Sequence, residues 1–159
     1  MTHSLTDLYQ EVILDHNRHP RNFGPLPQPT SKAEGYNPLC GDRVTVYLKM
    51  DGDRIAEVSF EGTGCAISTA SASIMTEVLK GKTLDEAQRI FEKFHQMVTG
   101  QGLPDPEDED FDRLMVFHRL SEFPVRVKCA TLVWHTLLRA LQEKEGTRGL
   151  RSDREGRAG

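Results

Sequence analysis

Leu5, Leu8, Tyr9, Val12, Ile13 and His16 recur at helical spacing across residues 4–18. This spacing predicts an amphipathic first helix, capped by Ser4 or Thr6 and stopped at His19-Pro20. Pro20, Pro25, Pro27, Pro29 and Pro38 then break all periodicity, because proline removes backbone donors, and residues 20–39 are expected to be an extended loop. From Arg43 the pattern alternates: Val44, Val46, Leu48 and Met50 fall on one face, and Thr45, Tyr47 and Lys49 on the other. Asp51-Gly52-Asp53 supplies a hairpin turn, and Ala56, Val58 and Phe60 carry the alternation into a second strand.

Ala66–Lys80 mixes Ala, Ser and Thr with Ile67, Ile74, Met75, Val78 and Leu79, which predicts a helix able to pack closely on the sheet and to stop at Gly81. Thr83-Leu84-Asp85-Glu86 reads as a capping box opening a further helix, whose stripe Leu84, Ala87, Ile90, Phe91, Phe94, Met97 and Val98 is core. Residues 102–112 are dominated by carboxylates and two prolines, a solvated loop or a patch for a basic partner. A short helix over Arg113–Leu120 precedes a last helix from about Val125 to Lys144, with Val127, Leu132, Val133, Leu137, Leu138 and Leu141 facing inward. The predicted fold class is α+β, a small antiparallel sheet with helices packed on one face. Residues 1–145 form a single domain in this reading, and 146–159, rich in glycine and charge, form a disordered tail.

Composition narrows the function. At 159 residues, 37% hydrophobic and 28% charged, with a formal net charge of -4, the chain reads as one soluble domain. It shows no basic footprint for nucleic acid and no run long enough to span a membrane. Gly62-Thr63-Gly64 is too short for a nucleotide-phosphate loop. Three cysteines are an odd number, widely spaced, with no signal peptide before them, which argues against a disulfide framework and for a reducing cytoplasm.

The cysteines carry the chemistry. Cys40 lies between Pro38 and Gly41, two residues before Asp42; Cys65 follows Gly62-Thr63-Gly64 at the start of a helix; Cys129 falls in the first or second turn of the last helix, between Lys128 and Ala130. A buried cysteine is most often a small hydrophobe, but a core-filling thiol needs neither a turn nor a flanking cation. A hairpin brings Cys40 and Cys65 to one sheet edge, where Cys129 and Asp42 can join them as a four-donor metal set. Three thiolates and one carboxylate suit Zn2+, and the same thiolates suit an iron–sulfur cluster; donor type does not choose between them. Arg126 and Lys128 bracket the site with positive charge. Asp42 alone reads equally well as a turn-capping carboxylate. None of the six histidines is paired as a metal ligand would be, His118 being the nearest outsider.

Asn37-Pro38-Leu39-Cys40-Gly41-Asp42, Gly62-Thr63-Gly64-Cys65-Ala66-Ile67-Ser68-Thr69-Ala70-Ser71 and Arg126-Val127-Lys128-Cys129-Ala130-Thr131-Leu132 together resemble the IscU-like scaffold family of iron–sulfur cluster assembly. Leu8-Tyr9 and the stretch from Asp15-His16 to Asn22-Phe23-Gly24 resemble that family's opening. Within the family the chain is similar to the SufU branch. Its segment between Cys65 and Cys129 is long, Lys128 stands where scaffold members carry histidine, and Ser121-Glu122-Phe123-Pro124-Val125 replaces the chaperone-recognition motif Leu-Pro-Pro-Val-Lys. The resemblance implies a zinc-dependent sulfurtransferase that takes persulfide sulfur from a PLP-dependent, SufS-type cysteine desulfurase and delivers it to the SUF scaffold complex. It implies Cys40, Asp42, Cys65 and Cys129 as zinc ligands, Cys40 as the sulfur acceptor, and Arg126 as the residue that orients Asp42 or offsets the anionic site. The alternative it leaves is a scaffold holding a 2Fe–2S cluster on the same ligands.

Overall fold

The computed structural model describes residues 5–103 and 109–146. Its elements run α1 (Leu5–Arg18), β1 (Ser31–Asn37), β2 (Asp42–Asp51), β3 (Arg54–Thr63), α2 (Ala66–Leu79), α3 (Leu84–Val98), three single turns of 3-10 helix at Glu109–Phe111, Leu114–Phe117 and Leu120–Glu122, and α4 (Pro124–Gly146). The sheet is antiparallel in the order β1-β2-β3, with α2 and α4 laid on one face. The fold is α+β, as the pattern of alternating and helical periods predicts. The expected tail lies outside the described residues, apart from Gly146 at the end of α4. Among the described residues no helix is long and apolar enough to cross a membrane.

Two expectations fail in the sheet. The proline-rich segment was expected to be loop throughout, yet Ser31–Asn37 pairs with all of the first half of β2, from Ser31 opposite Leu48 to Asn37 opposite Asp42. No proline falls between Pro29 and Pro38, which leaves every donor of the strand available for pairing. The second failure concerns β3. A bulge between Lys49 and Met50 shifts the register so that Met50 pairs with Ile55, while Leu48 pairs with Val58 and Val46 with Phe60. Ile55 is therefore buried and Ala56 exposed, the reverse of strict alternation. The Gly52-Asp53 turn forms as expected.

The helices follow their predicted signals. Thr83 and Glu86 form the capping box of α3, and Ala87, Ile90, Phe94, Met97 and Val98 are buried. On α1, His16 points inward, but Val12 is exposed. The expected helix over Arg113–Leu120 is instead two of the 3-10 turns, which bury Leu114, Val116, Phe117 and Leu120. Trp134 of α4 is fully buried, stacked on Phe94 with ring centroids 4.7 Å apart. α4 can lie close to the sheet because β1 presents small residues to it: a Cβ on Gly35 would overlap Thr136 Oγ1 and come within 3.1 Å of Leu132. This close packing fixes where the start of α4 ends up, and Cys129 with it.

Candidate metal centre

Asn37 closes β1 and Asp42 opens β2 directly opposite it, so Pro38–Gly41 is a tight connection held by the Gly41 N–H to the Asn37 carbonyl at 2.8 Å. The asparagine side chain adds the turn typical of its type: its Oδ1 accepts the Leu39 N–H at 3.0 Å, and its Nδ2 donates to Cys40 Sγ at 3.4 Å. Leu39 at the tip is 66% exposed, and Cys40 behind it is half-buried. Asp42 is 1% exposed. Its Oδ1 accepts the backbone N–H of Cys65 at 3.1 Å, whereas its Oδ2 is buried without any hydrogen-bond partner.

β3 ends at Thr63, and Gly64 leads into α2 beneath this carboxylate. A Cβ at residue 64 would lie 2.8 Å from Asp42 Oδ1 and 2.9 Å from Ser68 Oγ, so the approach of the chain to Asp42 requires glycine. Cys65 is the N-cap of α2: its Sγ accepts the Ser68 N–H at 3.4 Å, the place a serine or aspartate oxygen usually takes. Cys129 comes from above, in the second turn of α4, and is 3% exposed. Its Sγ is 2.9 Å from Cys40 Sγ. Burial pushes the Cys129 thiol well above the ordinary range, reinforced by the Cys40 thiol, the charge of Cys65 and the Asp42 carboxylate. Without a cation, this sulfur is held as the neutral thiol.

Cys40, Asp42 and Cys129 thus offer donor atoms within 4.8 Å of one another. Two soft sulfurs and a carboxylate oxygen with an orphaned lone pair form a donor set that a tetrahedral Zn2+ fits, since the cation would supply the missing partner of Oδ2 and allow Cys129 to ionise. The fourth expected group, Cys65, is adjacent to that trio but is not one of the donors lying within 4.8 Å of one another. Cys65 interacts with the Cys129 thiol, while its own sulfur is exposed and engaged as the helix cap. The structure puts the Arg126 guanidinium over the Phe123 ring, 4.9 Å from its centroid, and leaves it without an ion pair among the described residues. Lys128 is exposed. His118 lies outside the cluster, its Nδ1 3.1 Å from the Met115 carbonyl and its ring edge-on to Tyr9.

Some residues that shape the site escaped the sequence reading as individuals. Asn37 carried a signal, an Asx-turn residue followed by proline. Ser71 and Trp134 carried none: the Ser71 hydroxyl donates to the Ala130 carbonyl at 2.6 Å and accepts from Trp134 Nε1 at 3.1 Å, a buried chain that ties α2 to α4 one residue from Cys129.

Residues 8–148 match the family model described as the NifU-like N terminal domain. The chain is 40% identical to the zinc-dependent sulfurtransferase SufU of Bacillus subtilis, over 90% of its own length and 95% of that protein's. It is 35% identical to the iron–sulfur cluster assembly scaffold protein IscU of Streptococcus pyogenes, over 92% and 90% of the two chains. Among solved structures it is similar to a protein of Fervidobacterium islandicum described as an iron–sulfur cluster assembly scaffold for the SUF system, with a TM-score of 0.78 and 36% identity, covering 87% of this chain and 99% of that one. With a match this long, and with Cys40, Asp42 and Cys129 gathered beside Cys65 at the start of α2, the chain belongs to the NifU-like N-terminal domain family, alongside SufU and IscU proteins.

Proposed function

We propose that this chain is a zinc-dependent sulfurtransferase of iron–sulfur cluster assembly. It takes sulfur from the persulfide of a PLP-dependent, SufS-type cysteine desulfurase, passes it to a SUF scaffold complex, and works in the reducing cytoplasm where its thiols stay free. The observation that carries this reading is the asymmetry of the two touching sulfurs: Cys129 is buried, while Cys40 sits half-exposed behind the projecting Leu39. Of that pair, only Cys40 can meet a sulfur brought by another protein. The likeness to SufU across nearly the whole chain supports the same assignment.

In this reading Cys40, Asp42, Cys65 and Cys129 hold the zinc, which when bound keeps their sulfurs as thiolates. Reaction begins with Cys40 as a free thiolate. It attacks the outer sulfur of the desulfurase persulfide; a new S–S bond forms on Cys40, the desulfurase S–S bond breaks, and the desulfurase cysteine leaves as thiolate, so one thiolate is consumed and one released. Asp42 and Cys129 stay in place, fixed by the Cys65 N–H and by α4. Arg126, stacked on Phe123, would offset the net negative charge that three thiolates and a carboxylate leave around a divalent cation.

Protein purified without reconstitution is expected to be colourless, to contain about one zinc per chain, and to stimulate its desulfurase with a persulfide trappable on Cys40. Cys40→Ala should abolish both stimulation and trapping. The likeness to IscU scaffolds favours a second reading, a 2Fe–2S scaffold on the same donors. If reconstitution without oxygen yields a cluster that passes intact to an apo-protein, and Cys40→Ala leaves desulfurase turnover unchanged, the scaffold reading replaces the first.

A further inference from the structure

We infer that Asn37 is the positioning residue of the Cys40 sulfur, the group that holds it in aim once it is no longer bound to metal. The inference rests on the reading of Cys40 as sulfur acceptor. Its basis is the geometry of one carboxamide. Asn37 is only 8% exposed, and a buried amide must place both ends. The backbone N–H of Leu39 can only donate, so the side-chain oxygen has to face it, at 3.0 Å. That fixes the orientation of the amide, and the nitrogen is left aimed at Cys40 Sγ, 3.4 Å away. The base of this clasp is rigid: Asn37 pairs with Asp42 across the sheet and takes the Gly41 N–H on its carbonyl.

The other two sulfurs have different neighbours. Cys65 receives the N–H of Ser68 at the start of α2, and Cys129 is set by a helix already anchored through Ser71 and Trp134. Cys40 alone stands on a turn, with a projecting apolar tip and no helix beneath it. A thiolate released from a cation on such a turn would be free to rotate or to be drawn wholly onto Cys129, 2.9 Å away. The Asn37 N–H is a donor that belongs to the same turn as Cys40, so the thiolate keeps it when a cation is gone. It also remains a donor to the sulfur after the new S–S bond has formed.

Two substitutions separate aiming the sulfur from merely shaping the loop. Asn37→Asp and Asn37→Ser both keep an oxygen able to accept the Leu39 N–H; the Asp carboxylate has no donor for Cys40, whereas the Ser hydroxyl can still turn its proton toward the sulfur. The full chain of each is loaded with Co2+, and its absorption spectrum is recorded beside the unsubstituted protein. The ligand-field bands, which report four-coordination, should stay. The sulfur-to-cobalt charge-transfer band should move to longer wavelength in Asn37→Asp and by less in Asn37→Ser, because a thiolate that has lost a hydrogen bond gives up its electrons more easily. In the desulfurase assay the maximal stimulation by Asn37→Asp should fall about tenfold, the worth of one hydrogen bond to a charged sulfur, with the half-saturating concentration of the chain unchanged. A charge-transfer band that stays in place in Asn37→Asp, whose carboxylate has no donor at all, or full stimulation by that variant, overturns the assignment. The cobalt spectrum needs no desulfurase, so a failed Cys40→Ala experiment with an intact spectral shift would sink the sulfur-acceptor reading and leave the hydrogen bond standing; the reverse pattern would sink this inference alone.

Discussion

Asp42 shows at the scale of one residue what the site is built to receive. A carboxylate that is almost fully buried, with one oxygen bonded to the Cys65 N–H, the other without a hydrogen-bond partner, and only the Cys129 thiol interacting with it besides, costs the fold on the order of 1–3 kcal/mol for the unpaired atom. Gly64 lets the chain pass close to the bonded oxygen, Oδ1, and so brings nothing to Oδ2. A cation bound at this oxygen would remove that cost. Asp42→Asn keeps an oxygen for the Cys65 N–H but lacks the charge. The substitution is expected to weaken zinc binding by at least about a hundredfold, a loss beyond what outer-shell partners of a metal site give, in competition titrations against a chromophoric chelator. Chelator-treated Asp42→Asn should melt no lower than chelator-treated parent protein, because the buried charge is gone. Equal zinc affinity in the two proteins would show that the carboxylate is a turn cap and nothing more.

Among the elements, the contact between α4 and β1 decides whether Cys129 reaches Cys40. Gly35 faces Thr136 and Leu132 with no room for a Cβ. Gly35→Ala should therefore cost about 1–3 kcal/mol in urea unfolding, the usual penalty of overpacking, and should loosen zinc binding by backing α4 off the sheet. Gly35→Ala combined with Thr136→Ala removes the obstructing hydroxyl and is expected to recover more than half of that loss; no recovery would mean that the strain is not at this contact. The same contact explains why β1 could not be read in the sequence. Its core-facing positions are Ala33, Gly35 and Asn37, opposite Val46, Val44 and Asp42, and small or polar residues leave no hydrophobic alternation to detect. α2, α3 and the β2–β3 hairpin were legible because their signals are local: a capping box, a two-residue turn, a long apolar stripe. The bulge that exchanges Ala56 for Ile55 leaves no mark of its own in a single sequence. The three cysteines and Asp42 could be singled out from their flanking turns and charges. That the Cys65 sulfur would be occupied as a helix cap, or that Asn37 would reach Cys40, depends on side-chain directions that residue types do not specify.

Across the whole molecule, the attachment of α1 is linked to pH. His16 is 7% exposed, with Nδ1 2.7 Å from the Ser73 hydroxyl of α2 and Nε2 3.9 Å from Glu77, which also pairs with Arg113 at 3.4 Å. Because the Ser73 oxygen already accepts the Arg21 N–H at 2.8 Å, its own proton is free to go to Nδ1, which keeps the ring neutral. Burial lowers the His16 pKa, and Arg21 and Arg113 lower it further, against the opposing pull of Glu77 and Asp15. The folded chain therefore binds this proton less readily than the unfolded chain does. The stability so gained is complete above the unfolded value near pH ~6.5 and is lost as pH falls from there through the folded pKa, by at most about 1.4 kcal/mol per pH unit. His135, edge-on to Phe91, is shifted in the same direction by desolvation, His95 and Arg139. The carboxylates held low by hydrogen bonds, Asp15 by Arg21, Glu86 by Thr83 and Glu122 by Arg119, lose their contribution only in more acid solution, below about pH 4. Between about pH 7.5 and 5 the two histidines consequently dominate the slope contributed by these shifted groups. Urea unfolding of the parent chain and of His16→Gln across that interval should show the parent losing stability more steeply, and subtracting the two curves cancels any metal-linked pH dependence they share. Parallel curves would mean that His16 is protonated in place, with Glu77 close enough to carry its charge, and that α1 stays docked for reasons unconnected with this ring.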